Sequence, residues 1–158
     1  MTSVEPGEGV GVKSVLVALD FPEASREPLR LALAIARHYG AEFHLVHVLP
    51  ITPIPESFHW SSTTGGVMQM RDKARLDILM RLEELALRNP PLTVKPEFMV
   101  KFGEPSEQMV QAARAPKADV IIMDLNRSTH IHTASHIPWT TAYEVACAAG
   151  CPVLTMRR

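Results

Sequence analysis

The stretch that decides the fold is Lys13-Ser-Val-Leu-Val-Ala-Leu-Asp20, a short continuous apolar run that ends on an acid. Such a run, without polar alternation, is typical of a parallel strand that is buried on both faces. An amphipathic pattern follows, which Ser25 or Glu23 can open and Gly40 can end in the left-handed conformation. Its apolar face is formed by Leu29, Ala32, Leu33, Ala36 and Tyr39. The next apolar run, residues 42–48, predicts a second strand, so this region forms one β-α-β unit.

The alternation of helices and strands continues along the chain. A long helix is predicted from about Met68 to Arg88, and Pro96 places the strand that follows at an edge of the sheet. Ser106 is predicted to cap the next helix. The core face of the long helix is assigned to Ala74, Ile78, Leu82 and Leu85. The remaining predicted elements are strands at 92–102, 118–124 and 152–156 and a helix at 140–149. This pattern predicts an α/β, doubly wound, Rossmann-like parallel sheet with helices on both faces.

Length and composition limit the classes of protein. The chain has 158 residues, and we assign residues 1–12 to a flexible leader and residues 13–158 to a single domain. The formal net charge of −1 predicts no binding to nucleic acid or to an anionic membrane. The N-terminus lacks the pattern of a signal peptide and no apolar run is long enough to cross a bilayer, so we expect a cytoplasmic protein. Cys147 and Cys151 are predicted to be reduced and buried.

Ligands of doubly wound sheets bind beyond the carboxyl ends of the strands, so the predicted strand ends are candidate binding positions. They are Asp20 with Phe21, Val48 with Leu49, and Met123 with Asp124. The chain contains no P-loop motif and no glycine from Glu104 to Ala149. The usual glycine-lined phosphate cradles are therefore excluded.

Several short motifs occur in a fixed order along the chain. They are Val17-Ala-Leu-Asp20-Phe with Ser25, Gly40-Ala41, His47-Val48, Gly103-x-Pro105, Ala118-Asp-Val-Ile-Ile-Met123 and Cys151-Pro-Val-Leu154. With these motifs the chain from about Lys13 to Arg157 resembles the universal stress protein family. The resemblance implies a five-stranded parallel sheet in the order 3-2-1-4-5 and a homodimer formed through the last strand. The dimer edge would then consist of Val153, Leu154, Thr155 and Met156.

Many members of this family bind ATP through the signature G-x2-G-x9-G-[ST], which begins directly after the fourth strand. Asp124 and Arg127 stand in place of the first two glycines, and Trp139-Thr140 aligns with the last Gly-Ser pair after eleven intervening residues instead of nine. Glycine lets backbone N–H groups approach a phosphate closely, whereas a carboxylate repels it. We therefore expect the family's usual mode of triphosphate binding to be lost.

The nucleoside half of the family site is better preserved. The resemblance implies that Asp20 contacts the nucleoside, that Val48 contacts the base and that Met123 lines the pocket. Asp20 could instead cap a turn, and the two apolar residues could belong to the core. The full set of candidate nucleotide-binding residues is Asp20, Phe21, Val48, Met123, Asp124, Arg127, Thr140 and Thr141.

Two functional hypotheses follow. The preferred one is a non-enzymatic stress-response or regulatory protein without the phosphate loop, which acts through a protein partner or binds something other than ATP. The alternative is a protein that binds ATP or AMP and hydrolyses it slowly, with Arg127, His130 and Thr140 in place of backbone donors.

The segment before the last helix carries further reactive side chains. His130, His132 and His136 are candidate metal ligands, although we prefer the interpretation of a polar segment that replaces the phosphate loop. A hydrolase needs a nucleophile with a base, and the residue types are supplied by Ser128, Ser135 or Thr140 beside His130 or His136, but no nucleophile-elbow motif accompanies them. The proline-rich residues 50–66 are a candidate lid.

Overall fold

The computed structural model describes residues 11–19, 26–51, 64–88, 94–125 and 139–157, in which strands and helices alternate along the chain. The strands are β1 (Ser14–Ala18), β2 (Glu42–Leu49), β3 (Glu97–Phe102), β4 (Val120–Leu125) and β5 (Val153–Arg157). The helices are α1 (Arg26–Tyr39), α2 (Thr64–Arg88), α3 (Pro105–Arg114) and α4 (Trp139–Ala148). None of the helices in these ranges is long and apolar enough to span a membrane.

All strands pair in parallel, in the order β3-β2-β1-β4-β5, which confirms the predicted sheet. All five residues of β1 are buried, as its continuous apolar sequence predicts. Asp119, which precedes β4, fixes the start of the central strand β1 by hydrogen bonds. Its Oδ2 accepts hydrogen bonds from the backbone N–H groups of Lys13, at 2.6 Å, and Ser14, at 3.0 Å.

Side chains of the strands alternate between two separate cores, because successive residues of a strand point to opposite faces of the sheet. Val15 and Val17 contribute to the core that also contains residues of α1 and α2. Leu16 and Ala18 contribute to the core that contains residues of α3 and α4. The sheet is therefore covered on both faces, as predicted.

Helix α1 confirms its predicted apolar face in part. Leu29, Ala32 and Ala36 are buried, and Gly40 ends the helix with a φ of +65°. Tyr39, however, is 50% exposed, so its assignment to the core face is wrong. It is the last residue of the helix, and its ring packs edge-on against the neighbouring His38 ring instead of the sheet.

Helix α2 begins at Thr64, earlier than the predicted start near Met68, so residues 64–66 of the candidate lid are helical. Residues 52–63, the greater part of that predicted lid, lie outside the described residues. Ile78 and Leu82 are buried on the core face, as predicted, while Ala74 and Leu85 are half-buried. The strand that follows begins at Glu97, directly after Pro96, and lies at an edge of the sheet as expected.

The predicted cap at Ser106 is wrong. Pro105 is the first residue of α3, so the capping residue must precede it, and the carboxylate of Glu104 accepts the backbone N–H of Glu107 at 3.0 Å. The Ser106 hydroxyl donates to the same carboxylate. Burial raises the pKa of Glu104, but the hydrogen bonds from Ser106 and Glu107 outweigh this effect, and the pKa lies below its ordinary value.

Both cysteines are free thiols, but their predicted burial is wrong: Cys147 is exposed and Cys151 is only half-buried. Helix α4 turns Ala142 and Val145 towards the core. A residue two positions after Val145 therefore faces solvent. Burial, with the charge of Asp119 as a smaller cause, raises the pKa of the Cys151 thiol, which keeps it protonated and unreactive at neutral pH.

The end of β1 is joined to β2 by the buried side chain of His47. Its Nδ1 lies 2.8 Å from the Leu19 carbonyl oxygen, and an N–H there donates to that oxygen. Burial lowers the pKa of this imidazole; the bond to Leu19 raises it in part, and the positive charge of Arg81 lowers it further. The ring is therefore neutral in the folded protein at neutral pH.

We expect His47 to make the folded protein less stable as the pH falls. Below a pH of about 6.5 the unfolded chain takes up the proton before the folded protein does, so the free energy of unfolding decreases by at most about 1.4 kcal/mol per pH unit. This loss is absent above that pH. Urea unfolding between about pH 7.5 and pH 5.5 should show a shallower decrease for His47→Gln than for the wild type. The matched variant His38→Gln, at an exposed position of α1, should keep the wild-type decrease; equal slopes for all three proteins would contradict the assignment.

Candidate functional site

The strands end together at one edge of the sheet, which we call the carboxyl edge. Because all pairs are parallel, the last residues of β2 and β3 face each other as Leu49 and Phe102, and the ends of β1 and β4 meet at Ala18 and Met123. This is where a doubly wound sheet binds its ligands. Of the candidate positions at strand ends, Val48, Leu49, Met123 and Asp124 therefore lie at one edge.

The end of β1 is fixed from the side of β2. The backbone N–H of Leu19 donates to the Val46 carbonyl at 2.9 Å, and the Leu19 carbonyl accepts the bond from His47. Both backbone groups of Leu19 are thereby satisfied without a ligand. Asp20 and Phe21, which follow, lie outside the described residues, so their predicted contacts with a nucleoside stay predictions.

Val48 and Met123 are both buried and belong to the core on the side of α3 and α4. Met123 has no exposed surface and Val48 only 9%. The structure thus gives these residues the role of core residues at strand ends. Contact of either one with a bound base stays a prediction.

Asp124 is a buried acid, with only 4% of its surface exposed. Its side chain points to the side of α1 and α2, since Val120 and Ile122 of the same strand belong to that core. The pairing Asp124–Met156 extends β4 beyond its contact with β1, so the acid lies inside the sheet and not in a loop. The sequence did identify Asp124 as a site residue, but it gave no sign of this burial.

His47 and Asp124 lie on the same side of the sheet, on either side of Leu19. The register places Leu19 one step beyond the pairs Ala18–Val46 and Ala18–Met123, level with both side chains. Two strand spacings then separate their backbones, roughly 10 Å. A neutral imidazole and a buried carboxylate thus border the end of β1.

The turn after β3 also belongs to this edge. The backbone N–H of Gly103 donates to the Leu49 carbonyl at 3.0 Å, and Gly103 has a φ of +143°. A Cβ at this position would lie 3.1 Å from the Gln108 side chain and would adopt a strained backbone conformation. The glycine of the Gly103-x-Pro105 motif is therefore required by the turn itself.

Two arginines at this edge were not recognised as site residues from the sequence. The Cζ atoms of Arg71 and Arg75, on α2, lie 6.0 Å and 5.5 Å from the centroid of the Phe102 ring at the end of β3. Both arginines are exposed, off the core face of α2. Their spacing of four residues was the available signal, but the contact with β3 is visible only in three dimensions.

The two threonines of α4 are separated by the structure. Thr140 is exposed, whereas Thr141 is buried, so only the first presents its hydroxyl to solvent. The other predicted residues of this region, Arg127, Ser128, His130, His132, Ser135 and His136, lie outside the described residues. Within the described ranges no group of three or more acidic, histidine or cysteine side chains could hold a metal ion.

The outer strand β5 presents an exposed leucine. Leu154 is 41% exposed, Thr155 is exposed, and Val153 and Met156 are half-buried. Because β5 pairs with β4 alone within the described sheet, one side of its backbone remains available. This is the strand predicted to form the dimer edge.

Comparison with known proteins gives a consistent result. The model of the universal stress protein family matches residues 11–157. A universal stress protein of Methanocaldococcus jannaschii is 24% identical over 149 residues, which cover 92% of this chain and 82% of that protein. A universal stress protein of Thermus aquaticus is 26% identical over 145 residues, which cover 92% of this chain and 98% of that protein.

Solved structures share the fold at lower identity. The universal stress protein UspA of Lactobacillus plantarum has a TM-score of 0.66 at 19% identity, covering 92% of this chain and 98% of that one. A universal stress protein of Archaeoglobus fulgidus in complex with dAMP has a TM-score of 0.54 at 17% identity, covering 92% and 98%. A universal stress protein in complex with cAMP has a TM-score of 0.62 at 16% identity, covering 93% and 98%. With a family model that matches almost the whole chain and a sheet of the order expected for that family, this chain belongs to the universal stress protein family.

Proposed function

We propose that this chain is a regulatory protein of the stress response that catalyses no reaction and does not hold a triphosphate in the usual manner of its family. The observation that carries the proposal is the buried carboxylate of Asp124 at the end of β4. The family's signature has its first glycine at this position.

The effect of the Asp124 carboxylate on a nearby phosphate is electrostatic. A phosphate at a backbone cradle needs N–H donors, which glycine exposes and which a side chain at this position covers. A carboxylate about 4 Å from a phosphate charge repels it by about 1 kcal/mol in bulk water and about 4 kcal/mol at the effective dielectric of a protein surface. A charge at this almost fully buried position is screened poorly by water.

The same carboxylate favours a different ligand chemistry. A carboxylate accepts hydrogen bonds, so Asp124 suits the hydroxyl or amino groups of a ligand better than its phosphates. A protein that responds to a small ligand or contacts a partner protein needs no group for proton transfer at this edge. The proposal places the protein in the cytoplasm, which its free thiols fit.

A second candidate function is binding of an adenine nucleotide with one phosphate. The observation that favours it is that two proteins of the same fold were solved with dAMP and cAMP. In this chain the hydrogen bonds to the phosphate would be donated by the side chains of Arg127, His130 and Thr140. Of these, Thr140 lies in the described part and is exposed.

We further propose that the protein is a homodimer in which the β5 strands of two copies pair. The exposed Leu154 supports this, since an apolar edge strand open to solvent promotes aggregation unless it is covered. A second copy of the same strand is a natural cover, because it satisfies the backbone groups of both edges.

The proposed exclusion of triphosphate can be measured by calorimetric titration with Mg-ATP. We expect no micromolar binding by the wild type, and Asp124→Asn should increase the affinity for ATP at least about fivefold, the smaller of the two repulsion estimates. Adenosine has no phosphate, so its affinity should change less. Micromolar binding of Mg-ATP by the wild-type protein would overturn the proposal. A thermal melt of the variant checks that its fold is retained.

The second candidate depends on side chains of the loop. An Arg127→Ala, Thr140→Ala double variant should lose affinity for AMP by about tenfold or more if these groups hold the phosphate. Retention of the wild-type affinity for AMP in this variant would exclude them as the donors.

The proposed dimer can be tested by a substitution in the middle of β5. Leu154→Glu introduces a charge at the proposed interface, and we expect sedimentation velocity to show a monomer at concentrations where the wild type is a dimer. Leu87→Glu, at an exposed leucine of α2, is the matched control and should stay dimeric. A dimer that is unaffected by Leu154→Glu would show that β5 does not form the interface.

A further inference from the structure

We propose that Arg71 and Arg75 bind the phosphate of a small phosphomonoester at the β3 end of the carboxyl edge. The inference rests on the second candidate function, binding of a monophosphate, and assigns the phosphate to other side chains than those of the loop after β4. The two arginines, called the arginine pair below, are one helical turn apart on α2.

The ring of Phe102 lies near both guanidinium groups. With Cζ atoms 6.0 Å and 5.5 Å from the ring centroid, both cations lie within the distance at which an aromatic ring attracts them. Like charges at this helical spacing repel each other. The ring therefore attracts both cations to the end of β3, and an anion bound by both would relieve their repulsion.

The stretch of α2 around the arginine pair carries a net positive charge. The ion pairs among the described residues involve Arg30 and His44, and neither Arg71 nor Arg75 pairs with a carboxylate in that part of the chain. Residues 68–76 contain three cations and one anion.

The positions of the arginine pair and Asp124 would fix the direction in which a ligand binds along the edge. Phe102 and Asp124 both point to the side of α1 and α2, at the ends of strands that lie three spacings apart, roughly 14 Å between backbones. One end of this edge therefore attracts an anion, whereas the other accepts hydrogen bonds. A ligand that lies along the edge would place its phosphate at α2 and its hydroxyl or amino groups at β4.

Phosphate fits the arginine pair for a geometric reason. A guanidinium group is planar and donates two parallel hydrogen bonds to adjacent oxygens of a phosphate. Both side chains are exposed, so their N–H donors are open to a ligand while their Cζ atoms lie near the Phe102 ring. The ligand class is thus a phosphomonoester with hydrogen-bond donors at its far end, such as a nucleoside monophosphate.

The test compares AMP, adenosine and inorganic phosphate as ligands of the full-length protein by calorimetry. We expect the wild type to bind AMP at least about tenfold more tightly than adenosine, and the Arg71→Gln, Arg75→Gln double variant to bind both equally. An Arg37→Gln, Arg114→Gln double variant is the matched control. It also removes two exposed positive charges, taking the formal net charge from −1 to −3, but on α1 and α3. It should keep the wild-type preference for AMP.

A second measurement uses the folded wild type alone. AMP and inorganic phosphate should shift the NMR signals of the Arg71 and Arg75 Nε–H groups, and adenosine should not. Equal affinity of the wild type for AMP and adenosine, absence of AMP binding, or absence of these shifts would each overturn the site. If AMP binding survives Arg71→Gln, Arg75→Gln but is lost in Arg127→Ala, Thr140→Ala, the arginine pair is excluded while the second candidate function stands. Micromolar Mg-ATP binding by the wild type would instead contradict the exclusion of triphosphate, whatever the arginine variants show.

Discussion

Every residue of β1 is buried, so its backbone groups must find their partners in β2 and β4 and its side chains must be covered on both faces. Parallel pairing on both sides satisfies the backbone, and helices on both faces satisfy the side chains. The same arrangement brings the ends of β1, β2, β3 and β4 to one edge. The position of the candidate site is therefore a consequence of how the central strand is buried.

What the edge can bind depends on the charges placed there. In the described part, the buried acid Asp124 lies at the end of β4, the neutral His47 is bonded to the end of β1, and the arginine pair rests on Phe102 at the end of β3. A backbone cradle after β4 would favour phosphate near Asp124. We propose instead that this edge takes hydrogen-bond donors near Asp124 and an anion near α2. The phosphate would then lie near α2 and not after β4, which is more than a loss of the family's site.

The strands β1 and β4 were predictable because a buried parallel strand needs a continuous apolar run. The strand β2 contains His44 and His47 and was recognised from its mostly apolar residues between Gly40 and Pro50. The strand order came from the family resemblance, since no local pattern specifies which strands become neighbours. The errors have local causes that a helical pattern does not contain. Tyr39 has the correct angular position but lies at the end of α1, Pro105 moves the cap of α3 from Ser106 to Glu104, and Cys147 falls on the outer face of α4.

The site was less predictable than the fold. Asp124 could be recognised from the family signature, but its burial depends on the pairing of β4 with β5, which the sequence does not show. The arginine pair depends on a contact between α2 and β3 across a sequence separation of almost thirty residues, between Arg75 and Phe102. Contacts of this kind arise from tertiary packing alone, so residue type and spacing could not reveal them.

We propose that this member of the family carries no triphosphate at its carboxyl edge. Native mass spectrometry of the protein as purified tests it most directly, because bound nucleotide and oligomeric state are read from the same spectrum. We expect the mass of a homodimer that carries no ATP. It should carry either no ligand or a ligand the size of a monophosphate. A homodimer that carries one ATP on each chain would contradict it.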